Sequence, residues 1–402
     1  MKPAGFPPCS GLALVRQRPS RLRLATTVGL VEVETVYGQD QASGQWLNPM
    51  REIWELSGRQ AMSPLLTERL CLTATLSGSF EKASLLAETW GSPVDDATIH
   101  RHVEQAGARA EAQARERVER ALDVRTRAEV VAEARSAAPR GPFSLVLMLD
   151  GWMIRERGAQ WGLKPPEIQA ERVAWREMKS AIVFRADQRA QTQSGRPVVL
   201  EKFCVSTRGG PEEMSRAVYA EALRRGLNQA RRVYVVADGA AWIWNVAAER
   251  FPEARGVLDF YHASQHLWAV AHALFGEGSA RAREWIDPLL HQLAHGGEAR
   301  VLRSLEDLVE PHRQADPQSK EAIQREVAYF QTHQDHLHYQ QRQAEGCPKG
   351  SGAMESTCSQ FQDRFKRTGQ FWTRTGEQHL LALELARRND DWDEIWQQER
   401  VA

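Results

Sequence analysis

The sequence predicts a mixed α/β layer flanked by helical regions, and three observations carry that prediction. Apolar, strand-like runs cluster between residues 143 and 260. Helical periodicity fills 62–107 and 262–346. Pro139-Arg140-Gly141-Pro142 parts the first helical region from the strands.

The chain opens with alternation. Leu22 and Leu24 lie between arginines, and Val31 and Val33 alternate with Glu32 and Glu34. With Gly29 as the turn, this predicts a short hairpin over 20–37. Leu66 to Leu76 follows as a first helix. Ser79 caps a second through Trp90, which Gly91-Ser92-Pro93 breaks. Asp95 or Asp96 then caps a third, through Ile99, Val103 and Ala106. Two short helices on a tight turn form either a helix-turn-helix, with Thr98, His100, Arg101 and His102 facing DNA, or an ordinary bundle pair. Residues 107–137, rich in Ala, Arg and Glu, predict one long solvated connecting helix.

Strands are expected at Phe143–Leu149, Met178–Phe184, Val198–Val205, Val233–Ala237 and Val257–Phe260. Helices are expected at Glu212–Gly226 and around Trp242, Val246 and Phe251. Gly350-Ser351-Gly352 opens a last helix whose buried stripe is Met354, Cys358, Phe361 and Phe365. The domain boundaries that follow are 1–50 (basic arm with hairpin), 51–138 (helical, DNA-binding type), 139–262 with 347–402 (α/β), and 263–346 (all-α insertion).

Composition excludes several classes. The 402 residues are 42% hydrophobic and 26% charged, a folded rather than a disordered balance. No apolar run reaches the ~18 residues of a membrane helix, and the start is a poor signal peptide, so the cytoplasm is expected. The five cysteines are scattered, with no C-x-x-C pair for a zinc ribbon. Basic and acidic residues balance at 52 each. Locally, residues 1–24 carry Lys2, Arg16, Arg18, Arg21 and Arg23 without an acid, and 364–374 carry Arg364, Lys366, Arg367 and Arg374 likewise. These are either phosphate-contacting patches or solvated basic segments.

Two apolar strands end alike, in Asp150-Gly151 and Asp238-Gly239. A lone Asp-Gly is usually a turn. Two in one α/β layer put carboxylates at the carboxyl ends of strands, where such sheets collect ligands. Two close carboxylates repel unless a cation sits between them, and a hard divalent ion suits oxygen ligands. Glu355, one turn into the last helix at the border of its packed face, is the candidate third ligand; the alternative is a solvated glutamate.

His291 and His295 have the spacing of a zinc pair, but Gln292 stands where a metalloprotease has Glu, so an ordinary helix is expected. His333, His336, His338 and Asp335 read as solvated. Trp372 is core by default, or stacks on an unpaired base.

The series LMLDGWMIRER, WREMKSAIVF, VYVVADGAAWIW, LDFYH and GSGAMESTCSQFQDRFKRTGQFWT resembles the DDE transposases of the Kra-type insertion sequences, relatives of the Mutator-like transposases. The resemblance spans about residues 55–398. It implies a ribonuclease-H-like mixed sheet with an inserted all-α domain between Asp238 and Glu355, preceded by a helical domain. It implies Asp150, Asp238 and Glu355 as a triad for two Mg²⁺ ions, with Mn²⁺ able to substitute. The same resemblance supplies an Asp-x-x-His, here Asp259 to His262, expected to support rather than catalyse. Lys366, Arg367, Arg374, Trp372 and Arg101 are the expected DNA contacts. The implied partners are double-stranded DNA, at element ends and target, and a second copy of the chain, with association to the nucleoid. In one respect the sequence departs from the family: the cysteine-rich ribbon common at its N-terminus is reduced here to Cys9. The alternative reading is a non-catalytic DNA-binding protein of transposase descent; a plain nuclease of the same fold is a third.

Overall fold

The structure, a computed structural model, describes residues 13–54, 56, 61–162, 172–195, 197–308 and 317–400. Lys2 and Cys9 lie outside these. By packing, the chain forms two compact units: Met1–Ala114 with Asp363–Ala402, and Arg115–Gln362. The domain boundaries expected from the sequence lie at 50/51, 138/139, 262/263 and 346/347, whereas the units part within two helices.

The first unit opens with β1 (Leu14–Thr26) and β2 (Gly29–Asp40), an antiparallel hairpin in which Leu22 faces Val33 and Leu24 faces Val31. It is longer than the alternation alone predicted. Beyond Pro19 the pairing continues to Leu14 across an irregularity between Val15 and Arg18. β3 (Trp46–Leu47), α1 (Pro49–Ile53) and β4 (Ala61–Met62) complete a four-stranded sheet in the order β3-β2-β1-β4. Leu22, Leu24 and Ala61 form its core.

Ser63 caps α2 (Pro64–Leu76), its side chain accepting the Leu66 N–H at 3.3 Å. Ser79 caps α3 (Phe80–Thr89) through the Lys82 N–H. Of the two aspartates expected to cap α4 (Asp96–Leu122), Asp95 does so, accepting the Thr98 N–H at 2.8 Å. The single helix expected over 107–137 is instead the long tail of α4, a break, and α5 (Arg127–Ala137). At the break Asp123 takes the Arg125 N–H, and the Arg127 guanidinium caps the carbonyls of Ala121 and Leu122. Side chains there compete with the helix for its own backbone partners.

The second unit is built on a five-stranded sheet in the order β11-β10-β5-β6-β9. Its strands are β5 (Ser144–Arg157), β6 (Val173–Arg185), β9 (Phe203–Thr207), β10 (Arg232–Ala237) and β11 (Arg255–Leu258). β5, β6 and β9 pair antiparallel; β10 runs parallel to both β5 and β11. The third strand expected at Val198–Val205 is two pieces. β8 (Pro197–Val199) pairs with β7 (Arg189–Gln191) in a separate hairpin, and only Phe203 onward joins the sheet. The fifth strand ends at Leu258, before Phe260, because Asp259 caps the next helix.

One face of the sheet, with Leu145, Leu147, Leu149, Val235 and Ala237, packs on α6 (Pro211–Arg224) and α7 (Ala241–Arg250) through Met214, Val218, Ala222, Ile243 and Val246. Alternation sends Met148, Asp150 and Trp152 to the other face. There Trp152 stacks on Phe361, with ring centroids 5.7 Å apart.

The segment expected to be helical throughout contains α8 (Phe260–Phe275), α9 (Ala280–Ala294), α10 (Glu298–Glu306), α11 (Pro317–Thr332) and α12 (Tyr339–Ala344), with no strand among its described residues. α13 (Gly352–Phe365), α14 (Arg374–Arg388) and α15 (Trp392–Arg400) close the chain. No described helix is long and apolar enough to cross a membrane.

Candidate functional site

Asp238 follows β10 directly, as expected. Asp150 does not end its strand: β5 continues to Arg157, because β6 keeps pairing with it all the way. The parallel ladder with β10, however, stops at Val236 and Met148. Asp150 and Asp238 therefore both lie just past the last parallel pair. They line one cleft of about 250 Å³, together with Gly151, Trp152, Met153, Glu177, Ala240, Trp242 and Ile243.

The two carboxylates feel each other. Burial, chiefly, and the Asp238 charge raise the Asp150 carboxyl above its ordinary range, against the Gly151 N–H bond that favours the charged form. Asp238 Oδ1 accepts the Ala240 N–H at 2.9 Å, and its main-chain carbonyl accepts the Trp244 indole N–H. The Cys358 thiol donates to Asp150, and burial, followed by the Asp150 charge, pushes that thiol well above its usual range.

Glu355 sits one turn before Cys358 on α13 and is exposed. It is not among the residues that line the Asp150–Asp238 cleft; its companions are Asp259 and His262. One ligand atom each from Asp259, His262 and Glu355 lie within 4.8 Å of one another. The smallest of the influences on the Asp150 carboxyl is the His262 charge, which lowers it. Asp259 is completely buried. Its Oδ1 accepts the His262 N–H at 2.8 Å, so the Asp-x-x-His spacing is that of a helix cap and its third residue.

Several groups at the site carry no motif. Lys179, buried in the sheet, pairs with Glu177 at 2.5 Å and lies over the Trp242 ring. Tyr329 from α11 packs on Gly239, where a Cβ would stand 2.2 Å from the ring. That close approach explains the glycine after Asp238 better than a turn does. Burial and the charges of Asp238 and Asp259 raise the Tyr329 hydroxyl well above its usual range. His266 stacks on the same ring and bonds Glu326 at 2.5 Å. Only the period-3.6 pattern of α8 and α11 could have placed these residues, and it marks core, not site.

The remaining candidates lie in the first unit. Lys366 is half-buried; Arg367, Arg374 and Arg101 are exposed. Arg364, counted in the basic patch, is buried, and its guanidinium donates to the carbonyls of Ala74 and Thr75. Trp372 is buried and donates its indole N–H to the Phe365 carbonyl, so the base-stacking alternative gives way to core packing. Thr98 and His102 are buried too, which leaves His100 and Arg101 on the outer face.

His295 Nδ1 bonds the His291 carbonyl, as in an ordinary helix end. The histidines expected to be solvated are not all so: His333 is buried, and His336 stacks on Trp244 at 4.0 Å.

No curated protein matches the sequence. Among solved structures, the Drosophila P element transposase strand transfer complex is similar at 11% identity. The alignment covers 84% of this chain and 81% of that one, with a TM-score of 0.27, too low for the likeness to carry an argument. Residues 220–400, from α6 to the end of α15, match the model of an uncharacterised protein family, UPF0236.

Proposed function

We propose that the protein is a DNA transposase of the DDE type, akin to the Kra-type enzymes, which cleaves DNA at element ends and joins them to a target. The observation that carries this reading is the pair Asp150 and Asp238 in one cleft, at the point where the parallel ladder stops. Sheet order supports it. Three antiparallel strands followed by two parallel ones, with helices between, is a mixed sheet of the kind that the ribonuclease-H-like reading calls for. The helical run α8–α12, between Asp238 and Glu355, has the place of the inserted domain.

The donor set suits a hard divalent ion. Asp150 and Asp238 offer carboxylate oxygens into the cleft, and their mutual repulsion favours a cation between them. Asp150, Asp238 and Glu355 would hold Mg²⁺, or Mn²⁺ in its place, as a pair of ions. Such ions supply an activated oxygen nucleophile and steady the leaving oxygen of the phosphodiester. The protein's own part is to fix those carboxylates, exclude bulk water with Trp152 and Trp242, and bind phosphates. Lys366, Arg367, Arg374 and Arg101 are the proposed phosphate contacts. Joining two ends calls for two or more copies of the chain on DNA.

The test is Mg²⁺-dependent cleavage of DNA carrying the element's ends, in the wild type and in Asp150→Ala. Loss of cleavage with DNA binding kept supports the reading. Cleavage unchanged in the variant removes the triad. Binding without cleavage in the wild type favours a non-catalytic DNA-binding protein, and cutting without joined products a plain nuclease.

A further inference from the structure

Asp259 is completely buried and makes no ion pair with Lys or Arg among the described residues. Such a carboxylate is costly unless donors surround it. Here the donors come from two helix starts. Oδ1 caps α8 at the His262 N–H. Oδ2 accepts the Ser351 main-chain N–H at 2.5 Å and the Ser351 hydroxyl at 2.8 Å. Each helix presents its N-terminal N–H groups, the positive end of its dipole, to the one carboxylate.

The approach is close. A Cβ at Gly350 would stand 3.2 Å from Asp259 Oδ2 and from the Tyr261 ring. The main chain adds a second tie, since the Phe260 N–H donates to the Lys349 carbonyl at 3.0 Å. Ser351 in turn starts α13: its carbonyl accepts the N–H groups of Met354 and Glu355. A serine at a helix start ordinarily turns its hydroxyl back to cap its own helix. This one gives it to Asp259 and lies 3.5 Å from Glu355 Oε1.

We propose that Asp259 is a positioning residue: with Ser351 it latches the start of α13 to the start of α8 and so fixes where Glu355 stands relative to Asp150 and Asp238. Its oxygens accept three hydrogen bonds from the two helix starts, and through them it sets the place of Glu355. This rests on the reading of Glu355 as a metal ligand. Partners that orient a ligand typically change metal affinity 10- to 100-fold when lost.

The experiment is a double-mutant cycle on Mn²⁺ binding, read by electron paramagnetic resonance on the full chain without DNA. Ser351→Ala removes the hydroxyl and keeps the main-chain bond. It should weaken Mn²⁺ binding about tenfold. In the Glu355→Gln background the same substitution should change nothing further, since its effect passes through Glu355. A general loosening of the fold would instead add to the Glu355→Gln effect, and that outcome overturns the latch. Wild-type affinity in Ser351→Ala, with Glu355→Gln weakened, also overturns it while leaving Glu355 a ligand. If Glu355→Gln binds Mn²⁺ like the wild type, Glu355 is no ligand, and the metal reading falls together with the latch. Thermal melting of each variant without metal shows that the fold is kept.

Discussion

The two halves of the candidate site treat their carboxylates in opposite ways. Asp150 and Asp238 share a cleft, stay partly exposed and repel each other. Asp259 is sealed off and accepts three hydrogen bonds, from the His262 N–H and from the N–H and hydroxyl of Ser351. The difference teaches how to sort acids in such a cluster. A carboxylate facing a like charge in a cleft is poised for a cation. One that ties two helix starts together is part of the frame, whatever its distance from the others.

The sharpest way to break this comparison is to remove one acid from each half. Asp150→Ala should lower DNA cleavage on the order of 10³-fold or more. Its effect on metal-free stability should be neutral or favourable. Asp150's carboxyl is raised above its unfolded value, so its contribution to stability is fully present below pH ~3.8 and is lost as pH rises through the folded value. Near neutral pH the uncharged Asp150→Asn should therefore melt at the same or a higher temperature in a chelating buffer.

Asp259→Ala should do the reverse. It leaves the N–H groups of Ser351 and His262 and the Ser351 hydroxyl without their acceptor, a cost of about 2–4 kcal/mol in urea unfolding. Equal stability of the two alanine variants would erase the distinction between the halves.

Next in size is Gly239→Ala. The new methyl would meet the Tyr329 ring, which is pinned by His266, so a loss of about 1–3 kcal/mol is expected. Gly91→Ala, with nothing near it but a φ of +75°, is the comparison that separates crowding from backbone strain.

The smallest effect concerns the edge of the insertion. Burial lowers His336 to about 4. Its contribution is present above the unfolded value of 6.5 and is lost as pH falls toward 4. His336→Gln should flatten the fall in melting temperature across that window by a few degrees. A pH profile identical to the wild type would refute the assignment.

Much of this was legible beforehand. The cap at Ser79 follows local rules, as do the choice between Asp95 and Asp96 and the alternation that builds β1 and β2. Asp150 and Asp238 stand out in the sequence because two apolar runs meet the same dipeptide; that the two line one cleft is a finding of the fold. Trp372 and Arg364 were not, since a basic run with a tryptophan reads alike whether its side chains face water or backbone carbonyls. The histidines at 333 and 336 read as solvated for the same reason: their neighbours in sequence are polar, whereas their neighbour in space is the aromatic Trp244.

By itself, then, the sequence determined the period of most segments and several of their stops, because these depend on residues within a few positions of one another. Tertiary structure alone decided how far β5 runs past Asp150, since β6 and not the local sequence keeps it extended. It also decided that Asp259 and Ser351, 92 positions apart, meet at two helix starts. The hydrogen bonding of a buried acid depends on which distant donors the fold brings to it, and no spacing along the chain records that.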